Sequence, residues 1–272
     1  MKVNRIDNSR RRQRIVLAVK AAVIAVVLGG LVIASAKIRE LWLEQCVIRD
    51  VTRQVTITDG KMVRADNIAK FLALTNGANL AKIDFAQKRK ELLEKFPHLR
   101  DLVIVRHLPD RVTITTEERI PVARLNLKGS QTVSKRVVDT EGVVFDFRRG
   151  TQALPVIREA TAPGTASGRR LTGHTLAALR LLELCGDKFG ELGVLEADAS
   201  KPDFIVLTLG NYSAAVIAWE GMDEETAASR RNLTKQLEHL TKVISSNVGT
   251  GTTIWNATQP GRVFADPQKG FL

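Results

Sequence analysis

The sequence "DFAQKRKELLEKFPHLRDLVIVRHLPDRVTITTEERIPVARL", residues 84–125, changes from a helical to a strand pattern near its middle. Asp84 and Gln87 have the spacing of a helix-capping box, which predicts a helix that begins at Asp84. The apolar residues of this helix share one face: Phe85, Leu92, Leu93 and Phe96. Pro97 predicts its end, and residues 102–105 and 112–116 then form the two strands of a predicted hairpin.

The residues before this helix extend the pattern upstream. Residues 46–58 mix β-branched and polar side chains and predict a strand, while residues 64–74 place Ile68, Phe71 and Leu72 on one helical face. The element order is therefore strand, helix, helix, strand, strand. Two amphipathic helices need a surface to cover, and a three-stranded sheet provides one. The sequence predicts a small α+β domain over residues 46–117.

Short motifs in this region resemble the POTRA domain of the FtsQ/DivIB family of cell-division proteins. They are a Gly-x-Asn-Leu turn, a proline before the second strand, Arg-x-x-Pro at the hairpin and Glu-Arg-x-Pro-Val-Ala after it: Gly77, Asn79, Leu80, Pro97, Arg106, Pro109, Glu118, Arg119, Pro121, Val122 and Ala123. Residues 137–146 and 154–157 are similar to a later strand pair and a Leu-Pro step of that family. The resemblance covers residues 50–157 and implies a β-α-α-β-β domain.

The charged triplet after the hairpin is interpreted as a junction between two domains. Pro121 cannot donate to a strand ladder and keeps the preceding residue extended. A plain charged loop is the alternative. The residues assigned to the hairpin and this hinge are Arg106, Pro109, Glu118, Arg119 and Pro121.

The N-terminus predicts a membrane anchor. Residues 1–14 carry six basic side chains and one acidic one, and residues 15–36 are apolar apart from Lys20. A helix over residues 15–36 would span ~33 Å, against ~30 Å for the hydrocarbon core. The arginines before the span predict a cytoplasmic tail at 1–14, a transmembrane helix at 15–36 and an extracytoplasmic location for the rest.

A cleaved signal peptide is the alternative interpretation, because residues 34–36, Ala-Ser-Ala, fit a cleavage site. The apolar segment is longer than the usual length of about 7–15 residues, which favours the anchor. A lipoprotein is disfavoured because large and charged residues precede Cys46.

Residues 118–268 predict a second, β-rich domain. Its predicted elements are a flexible loop at 161–170, a helix near 171–186, a hairpin over Asn211, a helix at 224–245 and a last hairpin over residues 259–261. The inward faces of the two helices are Leu176, Leu179, Leu182 and Cys185, and Leu233, Leu237, Leu240 and Ile244. The expected fold class is α+β: one transmembrane helix, a POTRA domain and a mixed α/β domain with an antiparallel-rich sheet.

The composition and motifs do not indicate an enzyme. The 14-residue N-terminal tail alone holds +5 of the net charge of +12, the remainder is mildly basic, and no basic run interleaved with aromatic residues follows the tail, so a nucleic-acid role is disfavoured. The four histidines form no metal motif, and the two cysteines have no disulfide or redox spacing. Asp139 with Glu141 is interpreted as a turn rather than a catalytic pair. We expect no catalytic residue, metal site, cofactor or small-molecule substrate.

Without visible chemistry, sheet edges are the candidate sites, since a free edge can pair with a partner strand. The last hairpin is the predicted contact surface, with Trp255 either an aromatic anchor or a core residue: Thr252, Thr253, Ile254, Trp255, Asn256, Ala257, Arg262, Val263 and Phe264. Residues 46–58 or the first hairpin are a second candidate. The family resemblance implies partners among the membrane-tethered division proteins FtsB and FtsL and the proteins of septal peptidoglycan synthesis.

The predicted function is that of a single-pass scaffold of the cell-division machinery in the inner membrane, located at the septum. Two alternatives stay open. One is a POTRA-bearing factor in outer-membrane protein assembly or secretion, which usually carries repeated modules. The other is an exported enzyme whose site is assembled from distant residues.

Overall fold

The structure is a computed structural model that describes residues 4–58, 60–127, 135–147, 150–159, 167–211, 213–246 and 254–266. The chain divides into two compact units. The first comprises Met1–Asp59, Val63–Arg89 and Val103–Thr115, and the second comprises Gly60–Met62, Lys90–Leu102 and Thr116–Leu272.

The first element is a long helix, α1 (Asn4–Gln45). Across the described part of the chain, none of the helices combines the length and apolar content that a bilayer crossing requires. In the predicted span at 15–36, the side chains of residues 15–19, 21, 22 and 25 lie outside the described ones.

The predicted β-α-α-β-β order is present, with one additional helical turn before its first strand. The elements are α2 (Val51–Gln54), β1 (Val55–Ile57), α3 (Ala65–Phe71), α4 (Phe85–Lys95), β2 (Leu99–His107) and β3 (Arg111–Glu118). The sheet order is β1-β3-β2, and β1 is parallel to β3, with Val55 opposite Val112. Helix α4 begins as predicted, because the Gln87 N–H donates to the Asp84 carboxylate (3.0 Å).

The strand predicted over residues 46–58 is only partly correct. Asp50 caps α2 by accepting a hydrogen bond from Thr52 N–H (3.0 Å), so a helical turn replaces the middle of that strand. The buried Gln54 then accepts from Arg49 N–H and Asp50 N–H (both 2.7 Å) and donates to the Asp110 carboxylate (2.5 Å). Polar capping, which a β-propensity pattern does not register, shortens β1 to three residues.

The Gly-x-Asn-Leu motif has a defined structural role. Gly77 has a φ of +89°, a conformation that strains any residue with a Cβ, and its N–H donates to Ile48 O (2.7 Å). Asn79 Nδ2 donates to Leu43 O (2.7 Å), and Leu80 N–H donates to Cys46 O (2.8 Å). The motif therefore binds the last turn of α1 and the residues that follow it.

The second unit contains a nine-stranded sheet. Its strands are β4 (Ala123–Leu127), β5 (Arg136–Val138), β6 (Val144–Asp146), β7 (Val156–Glu159), β8 (Val194–Asp198), β9 (Ile205–Leu209), β10 (Ala214–Ile217), β11 (Ile254–Ala257) and β12 (Phe264–Asp266). The order is β12-β11-β10-β9-β8-β7-β4-β5-β6. Five of the eight strand pairs are antiparallel and three are parallel, so the predicted antiparallel-rich sheet is confirmed.

Two long helices, α5 (Gly173–Lys188) and α6 (Ala227–Ser245), connect parallel neighbours of this sheet. Helix α5 joins β7 to β8, and α6 joins β10 to β11, as parallel strands require a crossover. The predicted inward residues of both helices enter one apolar cluster with the sheet: Leu176, Leu179, Leu182, Cys185, Leu233, Leu237 and Leu240 are buried, and Ile244 is half-buried against them.

Candidate functional site

The two edge strands of the nine-stranded sheet differ in whether other described residues bond along their outer side. At the β6 end, residues 168–171 run alongside the strand: Val144 N–H donates to Arg169 O (2.8 Å), and Gly168 N–H donates to Val144 O (2.7 Å). Leu171 N–H donates to Gly142 O (2.7 Å), which continues the cover. The prediction of a flexible loop at 161–170 is wrong for residues 168–170, because they bond to this strand. Residues 160–166 lie outside the described ones.

The opposite end of the sheet is β12. Among the residues that the structure describes, β12 is bonded on one side only, to β11, with Phe264 opposite Asn256 and Ala265 opposite Trp255. A strand with one neighbour presents a row of unpaired N–H and C=O groups along its other side. Within the described ranges, β12 therefore forms the free edge of this sheet.

The residues expected on the last hairpin divide into two groups. Ile254–Ala257 form β11, which pairs with β10 on one side and β12 on the other, so its backbone is already bonded. Trp255 is only 5% exposed and belongs to the apolar core. Of the two predicted alternatives, an aromatic anchor or a core residue, the structure supports the core residue. Thr252 and Thr253 lie outside the described residues.

The residues around β12 remain accessible. Phe264 is 48% exposed, and Arg262 is exposed beside it. Val263 is half-buried and packs against the core of the second unit. An apolar ring and a cation next to unpaired backbone groups provide side-chain contacts in addition to a strand ladder.

One side chain of α6 holds this hairpin in place. Gln236, which is 4% exposed, donates through Nε2 to Ala257 O (2.6 Å) and Gln259 O (2.9 Å). Its Oε1 accepts from Gly261 N–H (3.3 Å). Because Gln236 bonds both the end of β11 and the following turn, it fixes the direction in which the chain enters β12. The sequence analysis did not identify Gln236, and the only signal was a polar residue between two inward leucines.

The predicted hinge residues Glu118 and Arg119 both make specific contacts. The Glu118 carboxylate accepts from the backbone N–H groups of Lys61 (2.9 Å) and Met62 (2.7 Å). Arg119 N–H donates to His98 O (2.8 Å), and Arg119 Nε donates to Pro97 O (3.1 Å). The triplet is therefore bonded through side chains and backbone and is not a plain charged loop.

An ion cluster surrounds the Arg119 side chain. Its Nη1 donates to Asp139 (2.5 Å) and Glu141 (2.9 Å), and Arg100 bonds Glu141 (2.9 Å) and Glu117 (2.9 Å). The side chains of Arg119 and Asp139 are 13% and 5% exposed. Burial acts to lower the pKa of Arg119, but its hydrogen bonds to the two carboxylates, together with their negative charges, outweigh burial and raise that pKa.

Asp139 has the turn role predicted for it. Its Oδ1 accepts from Glu141 N–H (3.1 Å) and Val143 N–H (2.8 Å), while its other oxygen binds Arg119. Gly142 follows with a φ of +78°, and an added Cβ there would lie 3.2 Å from Leu176. The hydrogen bond from Arg119 lowers the pKa of Glu141, and Arg100 adds to the effect.

The other three residues assigned to the first hairpin and the hinge lie at separate places along the chain. The Arg106 guanidinium lies 5.4 Å from the centre of the Phe85 ring, Pro109 lies in the β2–β3 turn, and Pro121 precedes β4. Strand β2 is an edge of its sheet and exposes Val103 (51%) and Val105 (44%). The first hairpin therefore offers a second edge with apolar side chains.

Within the described residues, no group of three or more His, Cys, Asp or Glu side chains is arranged to hold a metal ion. Cys46 and Cys185 are buried and unpaired, and burial raises the pKa of Cys185 to about 12. His174 Nδ1 lies 2.8 Å from the Asp223 carboxylate.

The β-α-α-β-β order and its motifs match a known domain. The family model described as "POTRA domain, FtsQ-type" matches residues 52–119. Over residues 52–119 the chain is similar to an FtsQ-type POTRA domain. The resemblance that the sequence motifs predict is confirmed for this segment of the chain.

One curated relative extends the similarity beyond the POTRA domain. The chain is 27% identical over 154 residues to a protein of Koribacter versatilis (strain Ellin345) named "Cell division protein FtsQ". The aligned part is 53% of this chain and 42% of the relative, so this chain spans less than half of the relative's length. The free β12 edge lies after the POTRA domain, in the nine-stranded sheet.

Proposed function

We propose that the protein acts in bacterial cell division as a membrane-anchored scaffold that binds other division proteins outside the cytoplasm. The FtsQ-type POTRA domain and the similarity to a named cell-division protein support the biological role. The contact surface in this proposal is the free edge of β12. Its mechanism is β-augmentation, in which a partner segment adds a strand and pairs with the unpaired backbone groups.

The asymmetry of the nine-stranded sheet is the observation that carries the mechanism. Residues 168–171 bond along the β6 end, whereas β12 has a strand on one side only among the described residues. Natural proteins usually protect edges against pairing, so one covered edge and one uncovered edge in the same sheet favour a binding role for the uncovered one. Gln236 supports this role because it orients the strand before any partner arrives.

We also propose that α1 crosses the inner membrane over residues 15–36, with the N-terminus in the cytoplasm and the two units outside. Large apolar side chains of the helix, such as Val26 (74%), Val32 (67%) and Ile33 (67%), are exposed. A contiguous apolar surface of this kind requires cover. An anchor would restrict the binding surfaces to the membrane plane and raise their effective concentration for membrane-tethered partners, including proteins of septal peptidoglycan synthesis.

Photo-cross-linking in dividing cells tests the contact surface. We expect a photoreactive residue at position 264 to capture another membrane-tethered division protein. The matched control is position 195, because Leu195 is 54% exposed in the same unit but lies on an interior strand. Equal capture at both positions would contradict the edge mechanism.

Depletion tests the biological role. We expect cells that lack the protein to grow as filaments, with the tagged protein forming a ring at the septum. Normal division after depletion would remove the division role. Capture of unfolded outer-membrane proteins at position 264 would favour the alternative role in outer-membrane assembly. We propose no catalytic step and no cofactor for this protein.

A further inference from the structure

A cleft of about 510 Å³ lies in the second unit, between α5 and the segment that leads from β10 into α6. This size falls in the range of about 300–1,000 Å³ that is usual for ligand pockets. Its apolar lining includes Leu176, Trp219, Met222 and Leu233. The Trp219 indole is fixed, because its Nε1 donates to Ser229 Oγ (3.0 Å) in the interior.

The charged lining of the cleft has the opposite sign to the protein as a whole. Four carboxylates line it against two guanidinium groups, a local excess of two negative charges in a chain of net charge +12: Glu183, Asp223, Glu224 and Glu225 against Arg180 and Arg230. A local reversal of sign attracts cations to this place and directs anions elsewhere on the molecule.

The Arg180 guanidinium is already engaged within the protein. Its Nη1 donates to Thr140 O (2.8 Å) and to Glu183 (2.9 Å), and its Nη2 lies 3.5 Å from Glu225. It therefore supports the wall and has little capacity left for an anionic ligand. Glu224 is exposed at the rim, and the Glu225 side chain is 66% exposed beside Arg180, so both carboxylates can reach a ligand from outside. Asp223 is exposed as well and lies 2.8 Å from His174 Nδ1.

We propose that this cleft binds a segment of a partner protein that presents a lysine or arginine beside an apolar side chain. The apolar neighbour and the methylene stem of the cation would pack on Trp219 and Met222, and methionine adapts to varied shapes. The cationic head would meet Glu224 and Glu225. An apolar floor beneath an acidic rim suits this composition, whereas a simple inorganic cation would leave the floor unused.

This site shares no residue with the β12 edge. It therefore gives the protein a second partner-binding surface that does not depend on strand addition. The recognition chemistry also differs, because side-chain charge governs binding here and backbone hydrogen bonds govern it at β12. Failure of one proposal leaves the other standing.

Equilibrium fluorescence anisotropy on the full-length protein in detergent micelles at low salt tests the proposal. The probe is acetyl-Ala-Leu-Lys-Leu-Ala-amide carrying an uncharged dye, and its counterpart has glutamate in place of lysine. Asp223→Asn, Glu224→Gln and Glu225→Gln together should weaken probe binding by about tenfold, since each exposed charge pair contributes modestly. Raising the salt concentration should weaken the wild type and not the variant.

The matched control is Asp187→Asn, Glu191→Gln and Glu238→Gln, three exposed carboxylates outside the cleft with the same total charge change. We expect it to bind the probe as the wild type does, and Phe264→Asp to do the same. Equal weakening in the control would reduce the effect to net charge and overturn the site.

Three further outcomes would also overturn the proposal. The first is equal affinity of the protein for the lysine probe and its glutamate counterpart. The second is unchanged probe binding by Met222→Ser, which removes apolar contact from the floor. The third is binding of spermidine as tight as that of the probe, because spermidine carries charge without an apolar side chain. Unchanged melting temperatures of the variants would show that altered binding is not a result of unfolding.

Discussion

Replacing Arg119 with methionine should destabilise the second unit strongly. Methionine keeps the volume and flexibility of the side chain but removes three hydrogen bonds, to Asp139, Glu141 and Pro97 O. The Asp139 carboxylate, 5% exposed, would then be buried without its cation. Breaking a buried ion pair from one side costs about 3–5 kcal/mol.

The expected cost lies at the lower end of that range, about 3 kcal/mol, because compensating contacts remain. Asp139 keeps the N–H groups of Glu141 and Val143, and Glu141 keeps Arg100. For a unit of this size, each kcal/mol lowers the melting temperature by about 2–4 °C, so Arg119→Met should lower it by about 6–12 °C.

The assay is thermal unfolding of the full-length protein in detergent, followed by intrinsic tryptophan fluorescence, since Trp219 and Trp255 are buried in the second unit. Arg100→Met is the matched control. Its side chain is 51% exposed, so the same chemical change should lower the melting temperature much less than Arg119→Met does. Adding Asp139→Asn to Arg119→Met should recover part of the loss, because the uncompensated charge disappears.

Equal shifts for Arg119→Met and Arg100→Met would refute this reasoning, since they would show that burial of the pair does not matter. A second refuting result is a double variant that is no more stable than Arg119→Met alone. Arg119→Lys should lie between the wild type and methionine, because lysine keeps the charge but not the forked donor geometry.

Three further predictions follow from individual ionisable groups. Arg119 lowers the pKa of Glu141, so the ionised carboxylate stabilises the fold above the unfolded-state pKa of about 4.3, and this contribution is lost as the pH falls through the lower folded-state pKa. Melting temperatures measured from about pH 5 to about pH 3 should therefore fall less in Glu141→Gln than in the wild type. Burial raises the pKa of Glu159, so its ionised form costs stability at neutral pH; Glu159→Gln should melt higher than the wild type at pH 7.5, and the difference should vanish below about pH 4. The Cys185 thiol has a pKa of about 12, so only about one in ten thousand is ionised at pH 8, and Cys46 is fully buried. Mass spectrometry after iodoacetamide treatment should therefore find two modifications in the urea-unfolded chain and none in the native one.

Most of the individual elements could be predicted from the sequence. Helices α4, α5 and α6 and the hairpins around Pro109 and Asn211 occur where the periodicity predicts them, because the alternation of buried and exposed residues is a local property of the chain. The family motifs could be identified by their resemblance, although their bonds are not local: Gly77 N–H donates to Ile48 O, 29 residues away, and Asn79 Nδ2 donates to Leu43 O, 36 residues away. The additional turn α2 was missed because a single Asp50 cap outweighs β-propensity.

The candidate site was only partly predictable, because the position of a strand within a sheet depends on pairing across long distances. Strand β11 pairs with β10 across the whole of α6, so the β-rich hairpin that resembled an edge contributes one interior strand and one edge strand. This pairing places Trp255 in the core and leaves Phe264 exposed. No local pattern separates two such strands, because each is a short segment with one aromatic residue, Trp255 in β11 and Phe264 in β12.

The amino-acid sequence by itself determined which segments fold into helices and strands, where the POTRA domain lies and which residues cap its turns, since these depend on contacts between neighbours. Only the tertiary structure decided which backbone edge is free, which side chain holds it and which carboxylate Arg119 meets. Asp139 is 20 residues from Arg119, and Gln236 is 21 from Ala257. Such contacts form only when packed strands and helices bring distant residues together, and the hydrophobic pattern of each segment carries no information about that meeting.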